Sequence, residues 1–287
     1  MNNFETQYID LIKNIQSNGS YRENERTGKG CYFYHGDMMK FDLSSGEFPL
    51  LTTKKMAVKA MIGELIGFIR GVDNAKDFRD LKCNFWNANA NESVDWLKNP
   101  NRKGEDDLGR IYGVQARDWK SGLGGDSVDQ LKNCIDKLSS GVDDRRLIVS
   151  HWNPGEVHLQ ALPPCHMFYQ FGIRDGKLDM CMYQRSCDVP LGIPMNIASY
   201  ALLLKIVAQI TGLEAGEFTH MMWNIHIYAD QMELAKEQVE RVPFDPPTLW
   251  INPNIRSLED LETWVSVNDF DFIDYISHPK IDYPFSA

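Results

Sequence analysis

The stretch from Ile193 to Leu213 constrains the fold more than any other part of the chain. It is apolar except where Asn196, Ser199, Lys205 and Gln209 interrupt it, too often broken for a membrane span and too apolar for a surface helix. It therefore reads as a helix over Met195–Thr211 buried inside a sizeable protein. At 287 residues, 43% of them apolar, the chain can bury a core that large.

What surrounds that helix reads as one α/β domain, residues 1–287, with a large mixed β-sheet covered by helices. Phe4, Tyr8, Leu11, Ile12 and Ile15 recur at helical spacing and stop near Asn18-Gly19. Lys55 to Arg70 has helix-forming composition and is apolar on most sides, Val128–Leu138 marks another helix, and Asp230–Arg241 a further one. Strands are expected at Cys31–Tyr34 and Met38–Leu43, joined through His35-Gly36-Asp37, then at Leu147–Trp152, Met167–Ile173, Lys177–Tyr183 and near Phe218–Trp223. Arg22 to Gly30 reads as a charged loop, Asn84 to Arg117 as a long polar surface excursion, and Pro243–Pro253 as a Pro-rich lead into an acidic tail.

The charge balance, 40 acidic against 30 basic residues and a net charge of −10, is the wrong sign for a protein that coats nucleic acid. The N-terminus lacks a signal-peptide pattern, and the six cysteines lie without a CxxC pair or a zinc-finger histidine partner. A cytoplasmic protein without structural metal or disulfides is the expectation.

Several residue groups have chemistry to offer. Cys165 follows Pro163-Pro164 and precedes a strand; it is either a nucleophile in a rigid turn or a small buried apolar residue. Arg145-Arg146, Arg185-Ser186 and Arg26-Thr27-Gly28 are forks beside hydroxyls or Gly backbone, suited to a monophosphate, or else solvated surface charge. No phosphate-binding Gly motif supports a nucleoside triphosphate or dinucleotide. Asn196 either reads an imide edge, as uracil presents, or caps its helix after Pro194. Glu64, among apolar neighbours, is functional or paired, or its helix face meets solvent.

The run QRSCDVPLGIPMNIASYALL (Gln184–Leu203), preceded by ALPPCH (Ala161–His166), resembles the thymidylate synthase family, and matching pieces run across nearly the whole chain. They include ERTGKG at Glu25–Gly30, FPLLTTKK at Phe48–Lys55, GRIYG at Gly109–Gly113, DRRLIVSHWNP at Asp144–Pro154 and HIY at His226–Tyr228. The resemblance implies a homodimer built through its sheet, in which Cys165 adds to C6 of dUMP and activates C5 toward 5,10-methylenetetrahydrofolate. By the same resemblance Arg26, Arg185 and Ser186 hold the phosphate, Arg145 and Arg146 reach in from the second subunit, Asn196 reads the pyrimidine, and His226 and Tyr228 bind the sugar. Glu64 and Tyr112 organise water and remove the C5 proton. Asp188, which also counts among the catalytic residues, holds the pterin; Trp86, Asn89, Leu162, Gly192 and Met195 surround the folate, Lys54 lies near its glutamate tail, and Ser286-Ala287 close over it.

The chain departs from the family pattern at Gly67, Asn87, Arg110, Ala116, Met195 and Met222-Trp223. Taken as a repacked folate side that admits water, these departures point to a 5-hydroxymethyl-dUMP product, as in phage hydroxymethylases acting in the host cytoplasm. The alternative is hydride transfer, giving thymidylate and dihydrofolate. A silent nucleotide- or RNA-binding relative is disfavoured by the full set of site residues. A Cys165–His166 hydrolase is disfavoured because neighbours on a strand face opposite ways.

Overall fold

The computed structural model describes residues 3–24, 28–121 and 126–285. Helices run over Asn3–Asn18 (α1), Val58–Ile69 (α2), Ala75–Asp80 (α3), Asn87–Asn91 (α4), Val94–Leu97 (α5), Tyr112–Arg117 (α6), Gln130–Ser139 (α7), Gly192–Thr211 (α8), Met232–Val239 (α9) and Leu258–Thr263 (α10). Strands run over Ser20–Asn24 (β1), Lys29–Asp42 (β2), Trp119–Lys120 (β3), Ser127–Val128 (β4), Ile148–Ser150 (β5), His166–Arg174 (β6), Lys177–Asp188 (β7), Glu214–Tyr228 (β8), Thr248–Ile251 (β9) and Phe270–Ile273 (β10).

The main sheet has the order β1-β2-β8-β7-β6-β5, antiparallel except where β7 runs parallel to β8. That parallel pair is connected through α8, which packs back onto both strands. On β7 the alternation buries Leu178, Met180, Met182 and finally Gln184. Opposite them α8 buries residues on nearly every side, including Ile197, Ala201, Leu204 and Val207, which explains its uniformly apolar sequence.

Four expectations need correction. Cys31–Tyr34 and Met38–Leu43 form one continuous strand, because Gly36, at φ +79°, lets the strand pass the residues expected to turn it. Arg22 lies in β1, paired with Cys31, and not in a loop. The segment after Pro243 contains β9, paired with β10. The polar stretch Asn84–Arg117 is no surface excursion: Trp86, Trp96, Leu108, Ile111 and Tyr112 are buried in a second core with Phe78 and Ala161. Its polar residues satisfy one another, as in the Arg79–Asp106 pair at 2.6 Å and the Trp96 indole N–H donated to the Asp107 carbonyl at 2.7 Å.

Candidate active site

Cys165 sits half-buried between Pro164 and the start of β6. Its backbone N–H donates to the Tyr112 hydroxyl at 2.6 Å, and its carbonyl accepts from the Arg185 N–H at 2.9 Å. The Arg185 side chain staples the same turn, donating from Nε to the Pro164 carbonyl and from Nη2 to that of Pro163, both at 2.9 Å. Its guanidinium lies 5.3 Å over the Trp152 ring. These bonds fix the backbone of Cys165 and set a permanent cation on the turn that carries its thiol.

Tyr112 joins this turn to the second core. Its ring stacks on Phe68 at 5.1 Å and meets Trp86, His151 and His166, and burial raises its phenol well above the usual range. Trp86 donates its indole N–H to Glu64 Oε1 at 3.0 Å. Burial pushes the Glu64 carboxyl up to about 7 against that hydrogen bond, so its helix face is not simply solvated. A carboxyl that titrates near neutrality can both take and give a proton.

The parallel register of β7 and β8 sets Ser186 opposite Asn224 and Asp188 opposite His226. Buried His226 has its Nδ1 3.2 Å from the Asn224 carbonyl, and its ring meets that of buried Tyr228 edge to face. Asp188 accepts from the Leu191 N–H at 3.2 Å; burial raises its carboxyl, with His226 and Lys54 opposing. Asn196 lies in the fifth residue of α8, whose N-cap is Leu191, so the capping alternative is excluded. Its Oδ1 instead accepts from Gln184 Nε2 at 3.0 Å. Gly192 stands between Asp188 and Asn196: a methyl group there would lie 3.7 Å from Asp188 Cβ and 3.5 Å from Asn196 Oδ1.

Other expected residues are placed less tightly. Arg145 and Arg146 are exposed in the turn before edge strand β5, outside the hydrogen bonds around Cys165 among the described residues; Arg146 faces Asp144 at 4.0 Å. Buried Lys54 donates to the Pro190 carbonyl, lies 5.0 Å over the Tyr283 ring, and is lowered to about 8 by that burial. Leu162 packs on the second core, and Asn89 is half-buried on α4. Arg26, Ser286 and Ala287 lie outside the described residues. Gln184 and Trp152 escaped notice in the sequence, although a glutamine continuing the buried alternation of β7 is a readable signal.

The departures do not share one layer. Gly67 yields its space to Phe78, whose Cε1 would be 2.3 Å from an added Cβ. Arg110 bridges Glu156 at 2.6 Å and Asp118 at 3.0 Å, and Asn87 accepts from Arg79. Ala116 belongs to the main core beneath the sheet, where it lines a cavity of about 20 Å³ with Leu131, Tyr169 and Leu203. Met222 is buried, whereas Trp223 is exposed and stacked on His35 at 5.1 Å. Gly67, through Phe78, and Asn87, beside Trp86, thus border the second core, whereas Arg110 and the Met222-Trp223 pair lie apart from it.

The thymidylate synthase family model matches residues 6–287. The chain belongs to the thymidylate synthase family. It is 50% identical over 282 residues to the thymidylate synthase of Shewanella pealeana, and 50% to that of Aliivibrio fischeri. It is 47% identical to the Haemophilus influenzae enzyme of that name; each alignment covers 98% of this chain and 99% of the relative.

Proposed function

We propose that this thymidylate synthase family member makes thymidylate, transferring a one-carbon unit from 5,10-methylenetetrahydrofolate to C5 of dUMP and releasing dihydrofolate. The observation that carries this reading is the junction at Tyr112, which holds the Cys165 turn on one side and neighbours the Trp86–Glu64 pair on the other. The names of the aligned relatives favour the methyl product.

The Cys165 thiolate adds to C6 of the uracil, and the electron pair of the C5–C6 bond moves to C5, which becomes nucleophilic enough to take the one-carbon unit. Glu64, poised near neutrality, then removes the C5 proton through the hydrogen-bonded surroundings it shares with Trp86. Loss of that proton breaks the bond between the transferred carbon and the folate nitrogen, and hydride delivered to that carbon as the C6–S bond cleaves completes the methyl group, leaves dihydrofolate and restores the thiolate. Arg185 and Ser186, joined by Arg26, hold the phosphate; Asn196 faces the pyrimidine, His226 and Tyr228 the sugar.

The donor set fits a pterin: half-buried Asp188 meets its polar edge, while Trp86, Leu162 and Met195 offer apolar walls. The folate supplies the one-carbon unit and the hydride. The whole chain acts as one catalytic domain and pairs with a second copy through the uncovered sheet face. Across that face Met38, Met221, Tyr183 and Phe168 form one cross-strand row, Met38 and Met221 remaining 49% and 41% exposed. Arg145 and Arg146 complete the partner's phosphate site.

One reaction decides the product: protein, dUMP and methylenetetrahydrofolate, with dihydrofolate followed by absorbance and the nucleotide weighed by mass spectrometry. Thymidylate with stoichiometric dihydrofolate is expected. A hydroxymethylated nucleotide without dihydrofolate would overturn the methyl product.

A further inference from the structure

His220 is fully buried on β8, one strand from Gln184, and the reaction outlined above makes no use of it. Its Nε2 lies 2.9 Å from Gln184 Oε1. The orientation of that glutamine follows from its other partners. The Ser186 carbonyl, 2.9 Å away, can only accept, so the atom facing it is the amide nitrogen, which also donates to Asn196 Oδ1 at 3.0 Å. Gln184 therefore turns its oxygen to His220, and only a protonated Nε2 can answer it.

Burial lowers the His220 imidazole to about 3, with His166 nearby adding to the effect, so the ring is neutral and carries a single proton. With that proton on Nε2, Nδ1 keeps a lone pair and needs no donor; among the described residues Nδ1 has no protein partner. Reversing the Gln184 amide would oppose two donors unless the proton moved to Nδ1, where it would be a buried N–H without a partner beside the Phe218 ring. The bond to Ser186 would also be lost. Both effects favour one orientation.

We propose that His220 is a positioning residue for substrate choice: its Nε2–H locks the Gln184 amide, which in turn fixes the Asn196 amide that faces the pyrimidine. This inference rests on the reading of Asn196 given under the proposed function. Uracil offers an acceptor at O4 and a donor at N3, and cytosine reverses both, so an Asn196 amide that keeps its hydrogen bond to His166 but loses a fixed Gln184 would discriminate less between them.

The test measures binding of dUMP and dCMP, with kcat/KM for dUMP, in wild type, His220→Gln, His220→Leu and His220→Asn, and the thermal midpoint of each. His220→Gln keeps an N–H within reach of Gln184; Leu removes the donor, and Asn is too short to reach. The expected result is a dUMP-to-dCMP preference lowered about tenfold or more in the Leu and Asn variants and held within about threefold in the Gln variant. Either variant that folds suffices. An unchanged preference in a folded Leu or Asn variant, or an equal loss in the Gln variant, overturns the role of His220. Wild-type protein without preference for dUMP would instead overturn the reading of Asn196 on which the inference stands.

Discussion

The two sides of the candidate site are built on different physics. Around Cys165, Gln184 and Asn196 the backbone of the Pro-Pro turn and the two side-chain amides are tied to strand and helix partners, so the geometry is set by hydrogen bonds at 2.6–3.0 Å. Beside Glu64 lies a cluster of packed rings, Phe68, Phe78, Trp86 and Tyr112, from which the Trp86 indole N–H reaches the carboxyl, and burial sets its properties. A nucleophile and a recognition amide need fixed direction, whereas a proton carrier needs a matched pKa, and the two regions separate these tasks.

The largest expected effect tests the first region. Cys165→Ser removes the nucleophile without disturbing the turn, whose bonds run through backbone atoms and Arg185. Turnover should fall by at least about a thousandfold and the covalent complex with 5-fluoro-dUMP and folate should vanish from the intact mass spectrum. A surviving adduct would move the nucleophile elsewhere.

Next comes Glu64→Gln, which keeps the shape and the indole partner but cannot titrate. Turnover should drop by about 10²–10⁴-fold, and the limb of the pH–rate profile near 7 should disappear. Stability should move the other way. The carboxyl holds its proton to about 7 when folded but ionises from 4.5 when unfolded. Its stabilising protonated state is thus fully present below 4.5 and its contribution is lost as pH rises through 7. Above pH 7 the Gln variant should gain up to about 3 kcal/mol in urea unfolding, trimmed by the solvent still reaching this half-exposed side chain, and gain nothing at pH 4. Equal stabilities at pH 8 would show that burial does not hold this proton.

Asn196→Asp sharpens the contrast within the hydrogen-bonded region. A carboxylate accepts from Gln184 Nε2 as the amide oxygen does, but ionised it offers the pyrimidine no donor. Competition binding should show the preference for dUMP over dCMP reduced about tenfold or reversed. Unchanged discrimination would mean that Asn196 does not face the ring.

How far the sequence reveals these regions follows the same division. Cys165, Arg185 and Asn196 stand in contiguous runs, and the alternation of Leu178, Met180 and Met182 announces a half-buried strand, so the hydrogen-bonded side is largely readable. The His220–Gln184 contact is not, because it depends on β7 lying parallel to β8 through a crossover helix, a register that no local spacing encodes. The aromatic side misleads further. Trp86, Trp96 and Leu108 are dispersed among Asn, Asp and Lys, and the mean polarity of Asn84–Arg117 hides a core whose polar residues pair with each other. The departures mislead for a related reason: adjacent positions such as Met222 and Trp223 face opposite sides of one strand, one into the core and one outward.

A smaller effect is expected for Gly67→Ala, which probes the aromatic region without touching titratable groups. The added methyl would come within 2.3 Å of Phe78, which stacks on Trp86, so the ring must shift. Overpacking of this kind costs about 1–3 kcal/mol, read as a lower urea midpoint with unchanged slope.

The smallest effect concerns Trp223, which belongs to neither side of the site. Its ring lies parallel to His35 on the uncovered sheet face, 51% exposed, at the edge of the row formed by Met38, Met221, Tyr183 and Phe168. Little of its contact area lies within its own protomer, so Trp223→Ala should change the unfolding free energy of the chain by less than about 0.5 kcal/mol. If this face pairs with a second copy, the same ring is covered there, and its loss should weaken dimerisation about tenfold in sedimentation equilibrium. Turnover measured well above the dissociation constant should stay at the wild-type level, because neither the Cys165 turn nor the Glu64 surroundings use this ring. A dimer constant that ignores the substitution would place the contact elsewhere on the sheet, and a fall in turnover at high protein concentration would tie this face directly to the site.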